Sequence, residues 1–163
     1  VVGLFADQAL AKVNEIIGVC DLNLVQLCGK EPLEYCNEVK AQVIKVVHVD
    51  VSPTSPKEID RLAEQIGEYR AAGHLVTLDR LIEGVHGGTG FSFDWVIAAQ
   101  LSERGVSFLL AGGLAPDNIS RAVTQVRPWG VDVSSGVETN GVKDHDKIRA
   151  FVNKAKVSAV FND

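Results

Sequence analysis

Short apolar runs alternate with longer amphipathic stretches from one end of this chain to the other, and that alternation restricts the fold more than any single residue does. An apolar run buried on both faces suits a strand of a parallel sheet, and apolar residues at helical spacing suit the helix that covers it. Six such β/α units can be read. The first pairs a strand at Val1 to Phe5 with a helix from about Asp7 to Gly18, where Leu10, Val13, Ile16 and Ile17 share a face and Asp7 is placed as N-cap. The second has a strand at Asn23 to Leu27 and a helix from about Pro32 to Ala41. Val43 to Val47 is the third strand, followed by a long helix from Pro56 to Ala72 with Gly73 as its C-cap. Leu75 to Leu78 is the fourth; a glycine-rich loop, Gly84 to Gly90, leads from it to a helix from Asp94 to Glu103. The fifth strand, Ser107 to Ala111, feeds another helix through Gly112-Gly113-Leu114-Ala115-Pro116. The sixth, Val131 to Val133, precedes a final helix from about Asp144 to Val157. No linker or low-complexity segment interrupts the units and they share no motif, so one α/β domain over residues 1–163 is expected, a barrel or doubly wound sheet rather than a solenoid.

Composition excludes several partners. With 46% hydrophobic residues in 163, the chain can bury a sizeable core, and a net charge of −5 without any basic cluster argues against nucleic acid. No run approaches the roughly 18 apolar residues of a membrane span. Cys20, Cys28 and Cys36 fit neither a disulfide framework nor a zinc pattern, so a reducing cytosol, and a cytoplasmic protein without a metal, is the expectation. The opening Val1-Val2-Gly3-Leu4-Phe5 lacks a signal peptide's charged region and reads like the middle of a domain, so a fragment is expected.

In barrels of this construction the active site lies at the carboxyl ends of the strands. Asp79 follows the fourth strand there, Gly112 and Gly113 the fifth, and Ser134, Ser135 and Gly136 the sixth; Gly88 lies in the loop between the fourth strand and its helix. Glycine loops let backbone N–H groups approach a phosphate, although tight turns use glycine equally well. Asp79 is either a general acid or else an N-cap or the loop salt-bridge partner of Arg80. Asp132, inside a short apolar strand, requires either a buried ion pair or a site role. His48 reads as a structural histidine, His86 as a loop residue, His74 and His145 as loop or helix-start residues, and Cys28 as a thiol at the mouth without a paired base.

Read together, these motifs are specific. Leu24-Val25-Gln26-Leu27-Cys28-Gly29 with Glu31, Leu78-Asp79, Gly87-Gly88-Thr89-Gly90 before Phe93-Asp94-Trp95, Leu110-Ala111-Gly112-Gly113-Leu114, and Gly130-Val131-Asp132-Val133-Ser134-Ser135-Gly136-Val137-Glu138 with Lys143-Asp144 resemble phosphoribosylanthranilate isomerase over essentially the whole chain. The resemblance implies a (β/α)8 TIM-barrel type, here cut to about six units that correspond to strands 3 to 8. It implies a cofactor-free Amadori rearrangement of N-(5'-phosphoribosyl)anthranilate to 1-(2-carboxyphenylamino)-1-deoxyribulose 5-phosphate in tryptophan biosynthesis. Asp79 would be the general acid, and Gly88, Gly112, Gly113, Asp132, Ser134, Ser135 and Gly136 would line the substrate and phosphate site. The family's first strand, with a Cys-Gly-x-Thr motif carrying the general base, and its second unit, with an anthranilate-binding arginine, have no counterpart here, so inactivity of the chain alone is expected. Cys28 stands where the family commonly has histidine. Six units cannot close a barrel, so the expectation is either that the missing units exist in the native protein and not in this chain, or that two copies self-associate through open sheet edges; fusion to other tryptophan-pathway domains would account for the absent starting methionine. The competing readings are indole-glycerol-phosphate synthase or another phosphate-binding barrel enzyme, which calls for a free catalytic lysine or metal-binding histidines, and a non-catalytic phosphate-ligand-binding or assembly module.

Overall fold

In the computed structural model, which describes residues 1–49, 55–80 and 95–160, the alternation becomes a six-stranded parallel sheet with its strands in sequence order, β1-β2-β3-β4-β5-β6, flanked by helices. The strands are β1 (Gly3–Phe5), β2 (Leu24–Leu27), β3 (Gln42–Val49), β4 (Leu75–Arg80), β5 (Leu109–Leu110) and β6 (Gly130–Val131). Between and after them run α1 (Leu10–Cys20), α2 (Leu33–Glu38), α3 (Pro56–Ala71), α4 (Trp95–Glu103), α5 (Ile119–Val126) and α6 (His145–Val160). A short hairpin, β7 (Glu138–Thr139) and β8 (Val142–Lys143), lies between β6 and α6. Parallel neighbours need a crossover between them, which the helices supply. None of the helices among the described residues is long and apolar enough to cross a membrane.

The chain forms two compact units, Val1–Val47 with Asp60–Thr77, and His48–Ile59 with Leu78–Asp163. In the first, Val13 and Ile17 of α1, Val25 and Leu27 of β2, Val43 of β3 and Ile66 of α3 are buried. In the second, Leu78, Leu101, Phe108, Leu110, Leu114, Ile119 and Phe151 are buried, and α5 packs on both α4 and α6. Each such large apolar side chain, fully enclosed, contributes about 1.5–3 kcal/mol.

Four expectations are corrected. Asp7 does not cap α1: it adopts φ 61° and its Oδ1 accepts from the Lys30 N–H at 2.6 Å, while the helix begins at Leu10 after Ala9. α2 stops at Glu38, short of Ala41. β4 runs on to Arg80, so Asp79 belongs to the strand instead of following it. β6 ends at Val131, which leaves Asp132 outside the strand and exposed, in no buried ion pair.

Candidate active site

The site residues of the second unit are assembled by hydrogen bonds that continue the sheet past its assigned strand ends. The Ala111 N–H donates to the Leu78 carbonyl at 2.8 Å and the Asp132 N–H to the Leu110 carbonyl at 2.9 Å, so the carboxyl ends of β4, β5 and β6 stand side by side. Asp79, half-buried, is the residue after Leu78. Gly112 and Gly113 follow Ala111 at φ 85° and 66°, a left-handed pair that turns the chain away from β5. Asn118 fixes that turn, its Oδ1 accepting from the Ala115 N–H and its Nδ2 donating to the Gly113 carbonyl, both at 2.9 Å.

After β6, Ser135–Val137 form a turn of 3-10 helix, with the Val137 N–H donating to the Ser134 carbonyl at 3.3 Å. A Cβ built at Gly136 would overlap the Leu114 carbonyl oxygen, so this turn lies directly against the loop after β5, and only glycine permits the approach. Among the described residues, no hydrogen bond engages the backbone N–H of Gly112, Gly113, Ser135 or Gly136. Unsatisfied N–H groups on two abutting loops suit an oxyanion. Ser134 and Ser135 are exposed. Gly88 and His86 lie outside the described residues.

A second constellation, in the first unit, was not anticipated. Lys45 stands in β3 among buried Val43, Ile44, Val46 and Val47, and its Nζ donates to Glu31 Oε2 at 2.7 Å, to the Gly29 carbonyl at 2.6 Å and to the Leu27 carbonyl at 3.5 Å. Glu31 Oε1 accepts from the Asp7 N–H at 2.8 Å. Burial pushes the Glu31 carboxyl up, but the hydrogen bonds from Lys45 and from the Asp7 N–H outweigh it and hold the group below its ordinary range. A lysine anomalous in an apolar strand was the available signal; its partner, fourteen residues earlier in a loop, stood out only as part of the family motif, with nothing to tie it to Lys45. The ion pair removes Lys45 from the role a lysine-dependent barrel enzyme would require. Cys28 is half-buried, its Sγ 3.5 Å from the Gln26 Nε2; Cys36 is buried, and its thiol is pushed up to about 11, chiefly by that burial. His74 is buried, with Nε2 2.9 Å from Asn37 Oδ1, and His48 is exposed on β3. No cluster of three or more His, Cys, Asp or Glu side chains suited to a metal occurs among the described residues.

A parallel sheet with helical crossovers defines a β/α-class protein, and free amides on its last two loops next to a carboxylate suit an enzyme that binds a phosphate. The comparisons agree and are narrower. A model of the N-(5'-phosphoribosyl)anthranilate (PRA) isomerase family matches residues 1–154, running through both compact units. The N-(5'-phosphoribosyl)anthranilate isomerase of Geobacter metallireducens is 46% identical over 157 residues, covering 95% of this chain and 72% of the relative. The crystal structure of the Thermotoga maritima phosphoribosyl anthranilate isomerase superposes with a TM-score of 0.77 at 36% identity, over 96% of this chain and 72% of that one. Another isomerase structure, solved with reduced 1-(o-carboxyphenylamino)-1-deoxyribulose 5-phosphate, gives a TM-score of 0.72 at 34% identity, over 96% and 71%. The chain belongs to the N-(5'-phosphoribosyl)anthranilate isomerase family, whose activity is the isomerisation of that phosphoribosyl substrate in tryptophan biosynthesis.

Proposed function

We propose that Asp79 is the general acid of this isomerisation and that the loops containing Gly112-Gly113 and Ser134-Ser135-Gly136 hold the substrate's 5'-phosphate. The observation that carries the reading is the abutment of two loops of unengaged N–H groups at the carboxyl ends of β5 and β6, with β4 and Asp79 alongside. A dianion gripped by neutral donors fixes one end of the sugar, so the furanose ring oxygen can be presented repeatedly to the same carboxyl group. The Asp79 carboxyl gives its proton to that oxygen as the C1'–O bond breaks; the anilino nitrogen supplies the electron pair and becomes a C1'=N iminium. Loss of the C2' proton then gives an enolamine, which tautomerises to the 2'-ketone. Gly88 is assigned to the substrate site on the family resemblance alone. Asp132 holds β6 to β5 through its backbone, and its exposed carboxylate, which would repel a dianion, accepts from a sugar hydroxyl.

The base for C2' is not assigned among these residues. Cys20, Cys28 and Cys36 stand in no Cys-Gly-x-Thr motif, and Cys36 is a poor thiolate. In this reading the base belongs to a segment other than these 163 residues. The setting is the cytosol, where free thiols such as the three here persist.

Asp79→Asn, assayed in the presence of a segment carrying the family's Cys-Gly-x-Thr motif, lowers turnover by about 10²–10⁴-fold, with binding of a phosphate-bearing product analogue nearly unchanged. Turnover at the unsubstituted rate would remove Asp79 from its role. Assaying the chain alone and mixed with the segment separates a split enzyme, restored only by the mixture, from a binding module, inert in both.

A further inference from the structure

The phosphate loop has a side chain bound to its back. Lys143, at the end of β8, donates from Nζ to the Ser134 carbonyl at 2.9 Å, to Ser134 Oγ at 3.4 Å and to Glu138 Oε1 at 2.6 Å. An ammonium has three donors, and all three are taken. Lys143 therefore does not reach toward the ligand; it works on the loop.

Its effect follows from peptide planarity. The Ser134 C=O and the Ser135 N–H belong to one trans peptide and point in opposite directions. Lys143 and the Val137 N–H both hold the carbonyl on the hairpin side, so the Ser135 N–H faces away from the hairpin. Ser134, at φ −114° and ψ −92°, is neither helical nor extended, and regular structure contributes to this peptide only the 3.3 Å bond from the Val137 N–H that opens the 3-10 turn, longer than the 2.9 Å bond from Lys143. The lysine is delivered by the hairpin: Asn140 and Gly141, at φ 54° and 77°, form the two-residue turn that pairs Glu138 with Lys143. The Asp144 N–H closes the far end on the Val137 carbonyl at 2.8 Å.

We infer that Lys143 is a positioning residue for the isomerase, clamping the Ser134–Ser135 peptide so that the Ser135 N–H is aimed at the substrate's phosphate. This rests on the phosphate reading of the two loops. The clamp holds the peptide in one orientation before ligand arrives, which lowers the ordering cost of binding.

The test uses the full chain with inorganic phosphate as probe, followed by the Ser135 backbone amide resonance and by calorimetric affinity. In the unsubstituted chain phosphate shifts the Ser135 amide. Lys143→Met weakens phosphate by about tenfold, equivalent to about 1.4 kcal/mol, and abolishes the Ser135 shift without changing the thermal midpoint; Lys143→Arg restores both. If Lys143→Met weakens phosphate while the Ser135 amide still shifts, the lysine acts by charge alone and the clamp is wrong. Gly136→Ala, which drives the two loops apart, is the parallel control. If it weakens phosphate and Lys143→Met does not, the clamp fails and the phosphate site stands. If neither weakens it, the phosphate site itself is wrong and the clamp goes with it.

Discussion

Lys45 and Glu31 show how a single residue pair can decide a local fold. Both side chains are almost wholly buried, the lysine's at 5% exposure and the glutamate's at 2%, and they draw the loop after β2 onto the loop after β1 through the Asp7 N–H. The fit there is close, since a Cβ at Gly29 would overlap the Asp7 carboxylate. Lys45→Met leaves the buried Glu31 carboxylate without its cation and is expected to cost about 3–5 kcal/mol, whereas Lys45→Met combined with Glu31→Leu recovers most of the loss. Denaturant titration of the two variants checks this, and a single substitution that costs less than about 1 kcal/mol would show that the pair is dispensable. At this scale the sequence was only half legible. A lysine among valines announces that something must neutralise it, and the expected positions of Asp79 and the paired glycines at the carboxyl ends of β4 and β5 follow from the strand pattern alone. Asp7, however, looked like a helix cap because nothing local reveals that its carboxylate is engaged by Lys30, twenty-three residues away.

Among the elements, the six strands of the sheet and the helices between them follow from the sequence in kind and order, with the shortest of them, β5 and β6, shorter than expected, while the hairpin before α6 does not. The hairpin of β7 and β8 has two residues per strand, too few for any alternation to register, although its Asn140-Gly141 turn is a strong hairpin dipeptide. α5 begins at Ile119 and spans eight residues, too short for its apolar period to mark its ends in the sequence. The hairpin governs more than itself. Asp144, just beyond it, accepts from the Asp146 and Lys147 N–H groups at 2.9 and 3.1 Å and so caps α6, and Thr139 donates to its other oxygen at 2.7 Å. Gly141→Ala places a Cβ at φ 77°, at a cost of about 1–2 kcal/mol. Because nothing lies within 4 Å of that Cβ, the cost is conformational and not steric. The expected outcome is a lowered thermal midpoint together with weaker phosphate binding, since Lys143 loses its register against Glu138. Weaker binding would be absent if the hairpin were only a connector, and phosphate calorimetry on this variant decides between the two.

For the molecule as a whole, acid is expected to act unevenly on the two compact units. His74, whose burial pushes its pKa down, binds its proton more readily when unfolded, so its contribution to stability is complete above the ordinary histidine range, about 6.5, and is lost as the pH falls. Glu31 is also held low in the folded chain, and its contribution is complete above about 4.3 and is lost below it. Both residues belong to the unit built from Val1–Val47 and Asp60–Thr77. In the other unit, Asp144 is held low by the Thr139 hydroxyl and then by the Lys147 N–H, but it is exposed to solvent and its aspartate range lies lower still, near 3.9. The aromatic residues allow the two units to be followed separately: both tyrosines, Tyr35 and Tyr69, lie in the first, and both tryptophans, Trp95 and Trp129, in the second. On acidification from pH 7, the tyrosine absorbance should report loosening at a higher pH than the tryptophan fluorescence does. His74→Gln should bring the two transitions closer by removing the histidine's share of the loss near neutrality. Superimposable tyrosine and tryptophan transitions in the unsubstituted chain would mean that protons do not discriminate between the units, and that the buried pair and the buried histidine contribute no more to acid lability than the surface carboxylates do.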